Sequence, residues 1–213
     1  MVSIYQADTT TCREKVSLSE LLKKLPYSMH GRALRYRSQQ DAYDYIIGRL
    51  LLRKGLMNLG LANAFERIEI AENGKPFLEN VFFNISHTSG LLVCAISTDN
   101  ALGIDVEARK ELDLSVFEDW FRPNEWQDIQ RQSESMERFF WYWTRKESII
   151  KALGWSLSDL NQLDFDANVS SFEKEKQTWY LQDLDFGKDY WACLCSTENS
   201  SVQKYSIFEA NVL

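Results

Sequence analysis

The feature that most constrains the fold is a repeated order, in which a long segment with helical spacing of apolar residues precedes several short strand-like segments. The two helices are predicted at 39–59, where Gly60 ends the pattern, and at 135–153. Strands are predicted near 67–71, 81–85, 91–97 and 102–106 in the first half and near 163–168, 178–185, 190–196 and 205–209 in the second.

This order predicts an α+β protein made of two structurally similar halves with a pseudo-twofold relationship. Each half is expected to be a long helix packed on a mainly antiparallel sheet. We place the N-terminal half at 1–110 and the C-terminal half at 111–213. A seam between such halves is a natural place for a ligand, so we expect the active site at their interface.

Composition narrows the classes of protein and partner. The chain has 213 residues, 45% of them hydrophobic, which is typical of a compact globular protein. A formal net charge of -7 argues against general nucleic-acid binding. The N-terminal segment lacks a signal-peptide pattern, and no apolar run approaches the length of a membrane span. We therefore expect a cytoplasmic protein with no nucleic-acid or membrane partner and with reduced cysteines.

A carboxylate on the apolar stripe of the second helix points to chemistry. Glu147 and Lys151 lie one helical turn apart, on the same side as Phe140, Trp143 and Ile150. Burying a carboxylate without a partner is costly, so a positive group must lie near it. A simple ion pair between Glu147 and Lys151 would meet this need and is one interpretation.

A second acidic site favours a metal-binding role for Glu147 over a simple ion pair. Side chains alternate along a strand, so Asp105 and Glu107 share one face while Ile104 and Val106 share the other. Two neighbouring carboxylates repel each other, and a hard divalent cation with oxygen ligands relieves that repulsion. The alternative is an acidic strand edge that faces solvent. Taken with Glu147, the pair predicts a Mg²⁺ site.

Two further segments carry groups suited to phosphate binding. The strand ending at Ser86 and His87 leaves a hydroxyl and an imidazole next to a turn. The tight turn at Gly74 presents Lys75 on a backbone stiffened by Pro76. Each also has a structural interpretation, as a hydrogen-bonding histidine or an exposed turn lysine.

Taken in order, these segments resemble the motifs of a known family. The strings are GKP at 74–76, FNISH at 83–87, GIDVE at 103–107 and WTRKESIIKALG at 143–154. Together they resemble the 4′-phosphopantetheinyl transferases of the Sfp-type, two-halved monomeric class. The resemblance implies an enzyme that moves the phosphopantetheine arm of coenzyme A to a serine of an apo acyl or peptidyl carrier protein and releases 3′,5′-ADP.

Site roles follow from the matched positions and are implied by the resemblance. Asp105, Glu107 and Glu147 would bind Mg²⁺, and Glu147 would also take the proton of the carrier serine. Lys151 would neutralise charge on the pyrophosphate and the leaving group, so Glu147, Lys151 and Asp105 form the predicted catalytic set. The predicted coenzyme A ligands are Lys151 together with Arg32, Lys75, Pro76, Ser86 and His87.

The chain also departs from the family pattern. Gly154-Trp155-Ser156-Leu157 replaces a more basic loop that faces the carrier in the family, and Met29 stands where a lysine is frequent. An acidic carrier would then need a local basic patch, for which the candidates are Arg122, Arg131 and Arg138. Two other functions stay open from the residues alone: a non-catalytic coenzyme A or carrier-binding module, and a metal-dependent phosphodiesterase.

Overall fold

The computed structural model describes residues 1–71, 74–163, 169–199 and 201–206. Its α-helices are α1 Thr9–Lys15, α2 Leu18–Lys23, α3 Tyr27–Ala33, α4 Gln39–Asn58, α5 Pro123–Arg131 and α6 Ser135–Leu153. Its strands are β1 Val2–Asp8, β2 Glu69–Ile70, β3 Pro76–Phe77, β4 Phe82–Thr88, β5 Leu91–Ser97, β6 Leu102–Ala108, β7 Ser171–Lys174, β8 Gln177–Asp183, β9 Tyr190–Ser196 and β10 Val202–Ser206. Three 3-10 helices complete these elements, at Ala62–Arg67, Leu114–Trp120 and Leu157–Gln162. Across the described ranges, no helix has both the length and the apolar character that a membrane span requires.

The chain forms two compact units, and this confirms the predicted α+β class with two similar halves. The first unit comprises Met1–Asp99 together with β10, and the second comprises Asn100–Ser200. In the first, α4 packs on a four-stranded sheet of order β10-β1-β5-β4. In the second, α6 packs on a four-stranded sheet of order β6-β9-β8-β7.

The two long helices begin and end close to the predicted residues, and a glycine follows the end of each. Ser38 accepts a hydrogen bond from the backbone of Asp41 at the start of α4. After its C-terminus, Gly60 adopts a φ of 75°. Gly154 plays the same part after α6, with a φ of 73° in the left-handed region that glycine enters without strain.

Strand assignment differs from the prediction at both ends of the chain. β1 was not predicted, and it lies in the middle of the first sheet, antiparallel to β5 and parallel to β10. Of the predicted last strand, 205–209, residues 205 and 206 belong to β10 in the first unit's sheet, and residues 207–209 lie outside the described part of the chain. Of the strand predicted near 163–168, residues 164–168 lie outside the described part of the chain.

The division between units also falls before β6, between Asp99 and Asn100, whereas the predicted boundary follows residue 110. The predicted boundary counted β6 with the strands that precede it in sequence. In the structure β6 pairs with β9 over seven residues, from Leu102 opposite Ser196 to Ala108 opposite Tyr190. Asp105 and Glu107 therefore belong to the same unit as Glu147.

Gly103 lets α6 lie directly on β6. A Cβ atom at this position would lie 2.3 Å from the backbone nitrogen of Ala152 and 2.3 Å from the carbonyl oxygen of Ser148. Backbone atoms of a helix cannot rotate away as a side chain can. The missing side chain therefore fixes how closely the helix approaches the strand.

Replacing Gly103 with alanine is expected to lower the free energy of unfolding by about 1–3 kcal/mol, because the new methyl group overpacks the contact. Urea denaturation followed by tryptophan fluorescence suits the test, since all seven tryptophans lie within residues 100–200. Gly31→Ala, followed by circular dichroism, is the control because no atom lies within 4 Å of the added Cβ. A Gly103→Ala protein as stable as wild type would show that α6 can shift freely.

Candidate active site

The acidic face of β6 lies under α6. Gly103, Asp105 and Glu107 point to one side of the strand, which is the side that α6 covers at Gly103. From α6, Lys151 donates a hydrogen bond from Nζ to Asp105 Oδ1 at 2.6 Å. The same Nζ lies 4.0 Å from Glu147 Oε2. One ammonium group thus contacts carboxylates from both elements.

Burial excludes the interpretation of a solvated acidic edge for Asp105. Asp105 is only 3% exposed, and Ile104 and Val106 on the opposite face are also buried. Both faces of β6 are therefore covered at this point. Lys151 forms ion pairs with both Glu147 and Asp105, and its contact with Asp105 is the shorter one. A simple pair between Glu147 and Lys151 is therefore an incomplete description.

Glu107 is held by a residue to which the sequence assigned no role. Trp143 donates from its indole Nε1 to Glu107 Oε1 at 3.3 Å. Trp143 also stacks on Phe139, with ring centroids 5.7 Å apart. An aromatic residue in the motif at 143–154 therefore orients a carboxylate as well as packing in the core.

The electrostatics of the cluster show an excess of negative charge. Burial raises the pKa of Glu147 to about 7, Lys151 opposes this shift, and Asp105 and Glu107 add to it. Burial also raises the pKa of Glu107, and Asp105 raises it further. Burial lowers the pKa of Lys151, but the nearby carboxylates outweigh it and the net shift is upward. A single ammonium group therefore does not neutralise three carboxylates.

This charge and donor set fit a hard divalent cation. Carboxylate oxygens are the ligands that Mg²⁺ prefers, and a cation would lower the cost of keeping the three groups ionised. Within the described ranges, no three or more His, Cys, Asp or Glu side chains are gathered as a metal-binding group. Asp105, Glu107 and Glu147 thus suit Mg²⁺ by residue type and charge, but the structure does not gather them into a metal-binding group, and the close contact of Asp105 is with Lys151.

In the first unit, the turn before β3 places Lys75 and Pro76. The backbone nitrogen of Gly74 donates to the carbonyl of Ala71 at 2.8 Å, and Ala71 donates to the carbonyl of Lys75 at 2.9 Å. Gly74 has a φ of 81°, which glycine tolerates. Burial lowers the pKa of Lys75. A partly desolvated ammonium on a fixed turn is suited to bind an anion.

Ser86 and His87 lie in the last part of β4, as predicted. Their side chains point to opposite sides of the strand, so Ser86 is 4% exposed and the His87 side chain is 53% exposed. His87 Nδ1 lies 3.7 Å from Oδ2 of Asp44, a buried carboxylate on α4. The imidazole is thus accessible from one side and faces a carboxylate on the other.

Arg32 lies in a cluster of arginines and tyrosines. Its guanidinium carbon is 5.7 Å from the ring centroid of Tyr45, and that of Arg49 is 5.4 Å from the same ring. Arg32 also lines a cavity of about 450 Å³ together with Arg35 and Tyr36. This arrangement is compatible with an anion beside Arg32.

The sequence did not identify Asp44 or the pair of Glu125 and Lys146 as notable. Asp44 shares a helical stripe with Ile47, Gly48 and Leu51, so a carboxylate among apolar positions was a usable signal. No comparable pattern links Glu125 to Lys146, since they lie on different helices and meet only in the folded unit.

The predicted basic patch is partly neutralised within the second unit. Arg138 donates from Nε to Asp128 Oδ2 at 2.7 Å, and Tyr142 donates to the same oxygen at 3.0 Å. Arg131 is exposed, at the end of α5. Positive charge for a carrier protein would therefore come more from Arg131 than from Arg138.

Comparison with known proteins divides the chain near residue 100. Residues 101–206 match the family model described as 4′-phosphopantetheinyl transferase superfamily, and residues 13–99 match the model described as 4′-phosphopantetheinyl transferase, N-terminal. The 4′-phosphopantetheinyl transferase gsp of Aneurinibacillus migulanus is 36% identical over 84% of this chain and 78% of its own. The chain belongs to the Sfp-type 4′-phosphopantetheinyl transferases. The two family matches meet at the observed division between the units.

Other 4′-phosphopantetheinyl transferases are similar over shorter lengths. The enzyme psf-1 of Bacillus pumilus is 30% identical over 74% of this chain and 69% of its own. Sfp of Bacillus subtilis (strain 168) is 31% identical over 58% of each chain. These matches make this protein an enzyme of the phosphopantetheinyl transferase class and confirm the resemblance drawn from its motifs.

Proposed function

We propose that this transferase moves the 4′-phosphopantetheine arm of coenzyme A to the serine hydroxyl of an apo acyl or peptidyl carrier protein. The serine oxygen attacks the β-phosphorus, and the bond from that phosphorus to the bridging oxygen breaks. The products are the phosphopantetheinylated serine and 3′,5′-ADP. The observation that supports this best is that the Lys151 ammonium on α6 lies 4.0 Å from the Glu147 carboxylate and donates a hydrogen bond to Asp105 of β6.

In this proposal Glu147 takes the proton of the attacking serine. The raised pKa of its carboxyl reflects a partly desolvated group, whose carboxylate form is suited to accept a proton. Lys151 donates hydrogen bonds to the pyrophosphate oxygens and stabilises charge as the bond breaks. Asp105 holds the Lys151 ammonium in place through their 2.6 Å hydrogen bond.

Magnesium is part of the proposal. Asp105, Glu107 and Glu147 would hold it, and it would supply positive charge to the pyrophosphate. Trp143 keeps Glu107 oriented through the indole hydrogen bond. The excess negative charge on these residues supports the assignment.

The first unit supplies the residues assigned to the nucleotide end of coenzyme A. Lys75, Ser86 and His87 bind phosphate and ribose oxygens, Pro76 packs against the adenine, and Arg32 binds the 3′-phosphate. The partly desolvated Lys75 and the accessible His87 support these roles. We also propose, from the family resemblance, that the enzyme acts as a monomer in the cytoplasm.

Mass spectrometry of an apo carrier incubated with the enzyme, coenzyme A and Mg²⁺ tests the proposal. We expect the carrier to gain the mass of one phosphopantetheine and the reaction to release one 3′,5′-ADP per carrier. Apo carriers from fatty acid, polyketide and peptide synthesis are compared, and a carrier whose serine is replaced by alanine is the control.

Two results would contradict the proposal. Release of 3′,5′-ADP in the absence of any carrier would indicate a phosphodiesterase. Tight coenzyme A binding without modification of any of the three carriers would indicate a binding module.

A further inference from the structure

Asp44 is a buried carboxylate with few partners. Its side chain is 4% exposed on α4, among core residues of the first unit. Gln40, one turn earlier, donates from Nε2 to Asp44 Oδ2 at 3.1 Å. Oδ1 is buried and receives no hydrogen bond from any described residue. A carboxylate in this setting is costly unless a positive group or a further donor faces it.

His87 is the group that faces it. Its Nδ1 lies 3.7 Å from Asp44 Oδ2, within the range of an ion pair, while about half of its side chain is exposed. The imidazole therefore has one nitrogen near a buried carboxylate and presents its other edge towards solvent. No other Lys, Arg or His among the described residues lies within 4.0 Å of the Asp44 carboxylate.

We propose that Asp44 is a positioning residue that holds the proton of His87 on Nδ1 and so directs Nε2 at a phosphate group of coenzyme A. This inference deepens the proposed function and rests on it for the identity of the ligand. The buried carboxylate selects the tautomer and the ring orientation, and His87 makes the contact with the phosphate.

The chemistry of imidazole explains why the carboxylate matters. A neutral imidazole has one donor and one acceptor nitrogen, and the partner of one nitrogen decides the role of the other. With Nδ1–H directed at Asp44, a phosphate oxygen can be bound at Nε2 only by the imidazolium form, which donates from both nitrogens. Asp44 lies behind the imidazole and orients it, as carboxylates do for metal-binding histidines. The resulting charge-assisted bond is stronger than a neutral one.

The chain offers an internal reference because it contains only two histidines, His30 and His87. His30 Nε2 lies 3.0 Å from the carbonyl oxygen of Leu25. A carbonyl only accepts, so His30 must carry its proton on Nε2. The two histidines are thus expected to be opposite tautomers in the same protein.

Two-bond ¹H–¹⁵N correlation spectra of the ligand-free enzyme distinguish the tautomers at an alkaline pH of about 9, where imidazoles are neutral. We expect His30 as the Nε2–H tautomer and His87 as the Nδ1–H tautomer. Asp44→Asn should move the His87 signals towards the Nε2–H pattern and leave His30 unchanged. Asp41→Asn, the same substitution at an exposed position of α4, is the control.

Coenzyme A binding and turnover provide the second measurement. In Asp44→Asn we expect the Kd and KM for coenzyme A to rise roughly tenfold, the contribution of one charge-assisted hydrogen bond, with kcat little changed. Asp44→Glu should recover part of the loss. Phosphate-free pantetheine should bind both proteins equally, because it lacks the group that His87 contacts.

Each outcome has a definite meaning. A wild-type His87 that is already the Nε2–H tautomer overturns the inference, even if Asp44→Asn fails to fold. An altered tautomer with unchanged coenzyme A affinity overturns the phosphate contact. If His87 is the Nδ1–H tautomer as expected but the enzyme modifies no carrier, the proposed function is contradicted. The positioning of His87 by Asp44 is still supported in that case.

Discussion

Lys146→Met is expected to lower the free energy of unfolding by about 3–5 kcal/mol, because it leaves a charged carboxylate buried without its cation. Lys146 Nζ and Glu125 Oε2 are 2.6 Å apart, with side chains 0% and 2% exposed. The same Oε2 accepts from the backbone nitrogen of Arg122 at 2.8 Å, and Oε1 has no described partner. Burial lowers the pKa of Lys146, and Glu125 opposes the shift.

A double-mutant cycle separates the pair from its surroundings. Glu125→Gln combined with Lys146→Met should recover most of the stability lost in Lys146→Met, because neither side chain then carries a charge into the core. Tryptophan fluorescence during urea unfolding reports on this unit. The exposed pair of Arg109 and Glu137 is the control, and Arg109→Met should cost at most about 1 kcal/mol. A double mutant as unstable as Lys146→Met would show that packing of the lysine stem, rather than charge, explains the loss.

The pair links stability to the site because Lys146 precedes Glu147. With its ammonium anchored to α5, Lys146 fixes the rotation of α6 about its axis at this point. Glu147, the next residue along the helix, then points to the acidic face of β6. We infer that the lysine in the Lys146-Glu147-Ser148 sequence is structural and that the glutamate is functional.

Local signals made the long helices predictable. The apolar spacing and Gly60 that gave the prediction act within a few residues, and the Ser38 cap and Gly154 found in the structure are equally local. The alternation that placed Asp105 and Glu107 on one face of β6 is equally local, and the register with β9 confirms it.

Pairings between distant segments were not predictable in this way. The parallel pairing of β1 with β10 joins residues about 200 positions apart, and the sequence of neither strand indicates which strand it pairs with. The assignment of β6 to the second unit depends likewise on its pairing with β9. Of the candidate site, Asp105, Glu107, Glu147 and Lys151 were predicted by residue type and spacing. The partners of Asp44 and Trp143, which are His87 and Glu107, become visible only through tertiary contacts.

Glu147→Gln is expected to lower kcat by about 10²–10⁴-fold while changing the Kd for coenzyme A little. Glutamine has the size of glutamate but cannot accept the serine proton. Lys151 keeps its 2.6 Å hydrogen bond to Asp105 in this variant, so its contact with the pyrophosphate should persist. Single-turnover transfer to an apo carrier and equilibrium titration with coenzyme A measure the two quantities separately.

Glu137→Gln is the matched control, since it makes the same substitution on α6 at a side chain that is 35% exposed and pairs with Arg109. It should leave both kcat and the Kd for coenzyme A near the wild-type values. If Glu147→Gln weakened coenzyme A binding as much as turnover, Glu147 would act through ground-state binding and not as the base. If the rate of Glu147→Gln instead recovered when serine was replaced by a stronger nucleophile, the role of Glu147 as the base would be supported. Such a nucleophile depends less on a base to remove its proton.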